Sequence, residues 1–217
     1  MSDWIIYGIG FFAQLLFSAR IIHQWRLSEK QQKIVTPTIF WKLSLLASIL
    51  LFVYGYLRKD FAIMLGQTLT YYIYIRNLQL QHQWIKLSKP MQWFLFIFPI
   101  IFVIYSFNNG IYDMDSVFKN TEIPIWLLIL GSISQIFFTF RFIYQWVYSE
   151  NKKKSILPPG FWWISIIGAC LILIYAFFRK DPVLIIAHAF GIFIYLRNIL
   201  INKKSNKRIE PIHGTSV

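Results

Sequence analysis

The chain has 217 residues, of which 57% are hydrophobic, 19% aromatic and only 14% charged. So little polar surface excludes a soluble globule of this size and points to an integral membrane protein. The net charge of +13 needs no nucleic acid to explain it, because basic residues beside anionic lipid headgroups contribute on the order of 1 kcal/mol each.

Seven apolar runs lie near residues 4–25, 37–57, 61–82, 91–108, 123–148, 159–178 and 182–202. At about 17–23 residues each, they match a hydrocarbon core about 30 Å thick. None shows the polar-in, apolar-out alternation of a barrel strand, so each is expected to be a helix whose backbone groups bond within the segment. The fold class expected is an all-α integral membrane protein with seven transmembrane helices. The first run has Asp3 and no basic residue ahead of it, and no small-residue cleavage site follows. It is therefore expected to stay as a helix and not to be removed as a signal peptide.

Shifting residues 10–77 by 121 positions lays them without a gap on 131–198, with roughly a third of the pairs identical. The identities include Gly10, Gln14, Arg20, Gln24, Trp25, Ser28, Glu29 and Lys33, which recur as Gly131, Gln135, Arg141, Gln145, Trp146, Ser149, Glu150 and Lys154. Pro37, Phe40, Trp41, Ser44, Tyr54, Tyr74 and Arg76-Asn77 return as Pro158, Phe161, Trp162, Ser165, Tyr175, Tyr195 and Arg197-Asn198. Each repeat supplies three runs, and the run at 91–108 stands alone between them. A three-span unit repeated directly would invert its second copy; the single linker helix gives both copies one orientation, the pattern of parallel repeats. The organisation expected is 1–85, a first three-helix repeat; 86–122, linker helix and outer loop; 123–203, a second three-helix repeat; and 204–217, a disordered tail. Two such bundles can face each other across a path, as in a carrier, or duplication can simply have enlarged a stable bundle.

Seven spans starting outside place Arg26, Lys30, Lys33, Lys86, Lys89, Lys152–Lys154, Lys203, Lys204, Lys207 and Arg208 in the cytoplasm. The other side receives fewer basic residues, offset by Asp3, Asp60, Asp113, Asp115, Glu122 and Asp181. This bias predicts an inner-membrane protein with its N-terminus outside and its C-terminus cytoplasmic.

The recurring series Gly-x-x-x-Gln, Phe-x-x-Arg-x-x-x-Gln-Trp-x-x-Ser-Glu, Pro-x-x-Phe-Trp-x-x-Ser, Arg-Lys-Asp and Tyr-x-Arg-Asn resembles the lipid A biosynthesis N-terminal domain family, twice over. That family takes its name from a membrane extension on some lipid-A-disaccharide synthases, and it is similar in outline to the PQ-loop, SWEET and semiSWEET carriers. The Pro-Gln pair of the PQ-loop is Ala13-Gln14 and Ser134-Gln135 here.

An arginine inside a spanning segment costs roughly 2.5–3.5 kcal/mol on insertion scales, so its occurrence in both repeats asks for a reason. Arg20 and Arg141 each have an amide four residues on, Gln24 or Gln145, and hence on the same helix face. Arg76-Asn77 and Arg197-Asn198 lie at a comparable depth, and Ser44 and Ser165 open the second helix of each repeat. Arginine's planar fork suits a phosphate or carboxylate, which makes these ten residues a candidate anionic-headgroup site. The other reading is snorkelling, in which the side chain reaches the interface and nothing is bound. Gln14, Gln67, Gln135 and His188 lie deeper; they either bond neighbouring helices or line a path.

The remaining polar features read as structural. Asp60 and Asp181 are placed to cap the helices that follow, and Glu29 and Glu150 to pair with loop cations. Trp25, Trp41, Trp84, Trp93, Trp126, Trp146, Trp162 and Trp163 fall near span ends, as an interfacial belt does. Cys170, the single cysteine, lies in an apolar run and supports neither a disulfide nor a thiolate metal site. The carboxylates fall in loops, turns and tails, the four histidines have no ligand spacing, and there is no Gly-rich nucleotide loop. No catalytic residue, metal or cofactor is expected, and the glycosyltransferase domain implied by the family name is absent from this sequence. The first reading is a membrane protein that binds, and moves or presents, an anionic glycolipid or lipid-linked sugar of lipid A or envelope assembly. The alternatives are an accessory subunit docking a lipid-A-disaccharide synthase-like glycosyltransferase, and a SWEET-like sugar transporter.

Overall fold

A computed structural model describes residues 3–57, 61–108, 125–179 and 182–207, and all regular structure among them is helical. The helices are α1 (Asp3–Gln31), α2 (Thr38–Leu57), α3 (Phe61–Leu80), α4 (Lys89–Asn108), α5 (Ile125–Lys152), α6 (Pro159–Arg179) and α7 (Pro182–Lys207), with one 3-10 turn at Trp84–Lys86. They occupy the seven apolar runs. Three of them, α1, α5 and α7, continue several residues past the apolar stretch. Lys, Glu, Gln and Arg are good helix formers, so the helix outlasts the hydropathy signal; residues 204–207, expected in the tail, belong to α7. The 109–122 loop, the 58–60 turn, Lys180-Asp181 with the caps proposed at Asp60 and Asp181, and the tail from 208 lie outside the described residues.

By length and composition, three helices among the described residues are apolar enough to cross a membrane: Trp4–Gln31, Thr38–Leu57 and Pro159–Phe178. A shorter apolar stretch covers Lys89–Phe102.

The two repeats build their connections alike. The left-handed residues Gln32 (φ 52°) and Lys153 (φ 51°) end α1 and α5, a conformation that breaks a helix at its C-terminus. The extended segment that follows is pinned by a serine inside the preceding helix. The Val35 N–H donates to Ser28 Oγ at 3.1 Å, and the Ile156 N–H to Ser149 Oγ at 3.1 Å. Proline then leads into the next helix: Pro37 precedes α2, and Pro159 takes the first position of α6, where its missing N–H is not needed.

Packing divides the chain into two units that do not follow the repeats. Unit 1 comprises Met1–Arg20, Thr38–Pro124 and Lys153–Ser155; unit 2 comprises Ile21–Pro37, Ile125–Lys152 and Ile156–Val217. Residues 21–37 of the first repeat therefore belong with α5, α6 and α7, and residues 153–155 of the second belong with α2, α3 and α4.

In unit 1, α2 packs along α3 around Phe40, Trp41, Tyr71, Tyr74 and Ile75, all buried. Gly10 lets the Tyr54 ring approach to 2.9 Å from where a Cβ would stand. The linker helix α4 joins this unit through aromatic contacts, with ring centroids 5.9 Å apart for Phe52–Phe102 and 5.3 Å for Tyr56–Phe102. In unit 2, α6 packs between α5 and α7, and Gly131 leaves the corresponding room for Tyr175 at 3.0 Å.

One contact explains how α4 tolerates Pro99 in its interior. Proline has no N–H for the carbonyl four residues earlier, Leu95, so that oxygen loses its helical donor. The Tyr71 hydroxyl replaces it, donating to the Leu95 carbonyl at 2.6 Å, and Tyr72 donates to Phe96 at 3.0 Å. Tyr71 thus supplies the donor that the proline removes, and Tyr72 adds a second hydrogen bond between α3 and α4. Tyr71→Phe is expected to cost about 1–3 kcal/mol by leaving that buried carbonyl bare, measured by denaturation in micelles. In a Pro99→Ala background the same substitution should cost much less, since alanine restores the internal donor; equal losses in both backgrounds would contradict this account.

Candidate functional site

Each unit holds one arginine inside its helix packing, and both are turned inward. Arg20 is 3% and Arg141 4% exposed. Neither snorkels to the surface.

In unit 1, Arg20 Nη1 donates to Ser44 Oγ, while the Ser44 hydroxyl donates to the Phe40 carbonyl one turn back at 2.5 Å. The guanidinium carbon lies 4.6 Å from the Phe17 ring centroid, 5.0 Å from Phe40 and 5.5 Å from Tyr74. In unit 2, Arg141 Nη1 donates to Ser165 Oγ at 3.3 Å and to the Tyr195 hydroxyl at 3.1 Å. Phe138 lies under the guanidinium at 3.9 Å, with Phe142 at 4.8 Å and Phe161 at 5.5 Å. Ring faces attract a cation with about 0.5–2 kcal/mol each, more where water is excluded. They spread the charge without cancelling it. No Asp or Glu among the described residues pairs with Arg141, and its Nε has no hydrogen-bond partner there.

The companion amides are buried as well and bond the extended segments and helices of their units. In unit 2, Gln24 Nε2 donates to Ser28 Oγ at 2.8 Å, to the Val35 carbonyl at 3.2 Å and to Asn198 Oδ1 at 3.0 Å. Gln145 Nε2 donates to Ser149 Oγ at 2.8 Å and the Ile156 carbonyl at 2.9 Å. These two glutamines fasten the extended segments to their helices. In unit 1, Ser155 Oγ accepts from Trp41 Nε1 at 2.8 Å and donates to Asn77 Oδ1 at 2.7 Å. Asn77 and Asn198 each also donate back to their own helix, to Ile73 at 2.9 Å and Ile194 at 3.0 Å.

Of the ten residues grouped from sequence, Arg20, Ser44 and Asn77 lie buried in unit 1, and Gln24, Arg141, Gln145, Ser165 and Asn198 in unit 2. Arg76 and Arg197 do not join them. Consecutive residues point about 100° apart around a helix, so a buried asparagine turns its neighbouring arginine away. Arg76 donates to Gln79 at 3.0 Å, and Arg197, 45% exposed, forms a two-pronged pair with Glu29 at 2.8 and 2.5 Å. Glu29 and Glu150 also hold indoles, accepting from Trp25 at 3.3 Å and Trp146 at 3.1 Å. Among the deeper residues, Gln14 lies on an exposed face, Gln67 is half-buried, and His188 is half-buried with its ring edge-on to Phe138 at 5.1 Å. Gln135 belongs to α5, and its side chain lies outside the described residues.

Two groups of contributors escaped the sequence reading. Trp41 and Trp162, assigned to an interfacial belt, are 0% and 1% exposed and pack on Tyr74 and Tyr195 with centroids 6.0 and 6.1 Å apart. Their recurrence together with those tyrosines was the available signal. Ser155 has no serine counterpart in the first repeat and gave none. No group of three or more His, Cys, Asp or Glu able to hold a metal occurs among the described residues. Among the described residues, the site offers hydrogen-bond donors, one buried arginine in each unit and aromatic walls.

Comparison with known proteins gives two matching segments, residues 9–79 and 130–200, both to the family described as Lipid A Biosynthesis N-terminal domain. The chain is 31% identical over 222 residues to the lipid-A-disaccharide synthase of Chlamydia felis, covering 98% of this chain and 35% of that protein. The lipid-A-disaccharide synthases of Chlamydia caviae (29% over 223 residues, 98% and 35%) and Chlamydia pneumoniae (28% over 213 residues, 94% and 34%) are similar to the same extent. The chain thus spans about a third of the length of these curated relatives. No solved structure matches it.

Because Ser155 joins the Trp41 indole to the Asn77 amide, Ser155→Ala should strand one donor and one acceptor. A loss of about 2 kcal/mol is expected, read as a midpoint shift in denaturation. An unchanged midpoint would show that both groups find other partners.

Proposed function

The chain belongs to the Lipid A Biosynthesis N-terminal domain family, which it carries twice in tandem, and from that premise we propose that it serves lipid A or related envelope-glycolipid biosynthesis by binding an anionic, phosphate-bearing glycolipid inside the membrane. The observation that carries this reading is Arg141. A guanidinium excluded from water, held by hydroxyls and aromatic rings and without a carboxylate among the described residues, is completed by an anion from outside them. Arg20 and Ser44 repeat the same pair in the other unit.

All seven helices are taken to span, as two like-oriented three-helix repeats and a linker, with the N-terminus outside and the C-terminus cytoplasmic. In that frame the two arginines lie toward the inner leaflet, where a phosphate at headgroup depth meets them. The chain's role is to hold and present such a lipid, or to pass it between leaflets, with no covalent step of its own.

A second reading is suggested by what these relatives are called. The relatives named as lipid-A-disaccharide synthases are about three times as long as the segment they share with this chain. In this reading the chain works beside a separate glycosyltransferase, holding the lipid at the membrane while the partner acts on it.

Arg141→Gln keeps a polar side chain but removes the charge. Retention of anionic glycolipid by the purified protein, measured by mass spectrometry of co-purifying lipids, should fall about tenfold or more while folded yield changes little. Equal losses of lipid and of folded protein, or lipid retention unchanged, would return Arg141 to a purely structural role.

A further inference from the structure

The two units differ at the buried position that Ser155 fills in unit 1, and we infer that unit 2 receives a ligand hydroxyl beside the anionic group held by Arg141, a refinement that rests on the binding reading above. In unit 1 the hydroxyl belongs to the protein. Ser155 Oγ accepts from the Trp41 indole at 2.8 Å and donates to the Asn77 amide oxygen at 2.7 Å, bridging the two. In unit 2 the matching indole, Trp162, is 1% exposed, and its Nε1–H has no partner. The residue 121 positions before Ser155 is Ile34, which brings no hydroxyl.

The acceptor side is altered as well. Asn198, which matches Asn77, accepts from Gln24 Nε2 at 3.0 Å, and the oxygen of that same glutamine amide, Oε1, is buried without a partner. Unit 2 thus holds a bare indole donor and a bare amide acceptor where unit 1 holds a hydroxyl joining an indole to an amide. An alcohol both accepts and donates through one oxygen, and it is the smallest group that answers both.

The charge lies close by. Arg141 and Trp162 both pack against Tyr195, the first donating to its hydroxyl at 3.1 Å and the second with ring centroids 6.1 Å apart. Both also flank Phe161, with the guanidinium carbon 5.5 Å from its centroid and the indole 5.0 Å from it. Arg141 Nε is a second buried donor of this unit without a partner. A phosphate carrying an adjacent alcohol, as in a glycerol- or sugar-phosphate group, supplies an anion for the guanidinium and a hydroxyl for the indole. Ser155 in unit 1 is then the protein's own stand-in for that alcohol, and the indole and amide are satisfied internally in one copy and left without partners in the other.

The test compares two anionic phospholipids that differ in the alcohol alone: phosphatidylglycerol and phosphatidylmethanol, offered together to the full chain in nanodiscs and counted by native mass spectrometry. The wild type should prefer phosphatidylglycerol by about fivefold, the size of one good hydrogen bond. Trp162→Phe removes the N–H while keeping a ring, and should abolish the preference without lowering thermal stability. Ile34→Ser, which offers an internal hydroxyl at the position matching Ser155, should abolish it too. Should either variant fold poorly, the other still decides. A wild type that holds both lipids equally, or variants that keep the preference, would overturn the inference and leave Trp162 to a buried water. Arg141→Gln separates the two levels: it should lose both lipids, and if it retains both, the anionic-site reading fails first. Displacement by free glycerol 3-phosphate would assign the group to a soluble ligand, and resistance to it would assign the group to a lipid headgroup.

Discussion

Two guanidiniums kept away from water constrain most of what surrounds them. Arginine holds its charge in proteins, and burying a charge without compensation is among the largest costs a fold can carry. Arg20 and Arg141 meet that cost in the same way: a serine hydroxyl that accepts from the guanidinium and donates to the carbonyl a turn behind, and a cage of ring faces. The serine must open the second helix of its repeat, and the rings must come from all three helices. The recurring arginine, serine and aromatic residues of the two repeats are thus the residues this arrangement uses, and their return 121 positions later reflects one solution used twice.

Backbone and side-chain polarity is handled by substitution throughout. Where Pro99 deprives Leu95 of a donor, Tyr71 supplies one. Where the chain leaves α1 and α5 in extended form, Ser28 and Ser149 accept the N–H groups that a helix would have paired. In an apolar environment such replacements are obligatory, because no water stands by to make them.

The positions of the helices and the identity of the buried arginines were readable from sequence because both are periodic or repeated: apolar runs mark the helices, and Arg20 and Arg141 recur at one spacing with Gln24 and Gln145. What could not be read depends on direction and on partners distant in the chain. Arg76 and Arg197 share the depth of Asn77 and Asn198 but not their face, and sequence depth alone does not distinguish faces. Trp41 and Trp162 lie near span ends in sequence, yet they turn into the packing, since an indole near a helix end can face either way. The Ser155 bridge joins residues 78 and 114 positions apart at a site where the repeats differ. Repetition, the guide elsewhere, is silent there.

The crossing of unit boundaries over the repeats has a consequence for how the gene can be divided. Gln24, encoded in the first half, closes onto Asn198 from the second, while Ser155, encoded in the second, closes onto Trp41 and Asn77 from the first. A fragment holding one repeat lacks the strap that completes it, and the strap it carries has nowhere to dock. Split between the repeats, the protein would consist of two pieces, each carrying hydrogen-bonding groups whose partners lie on the other.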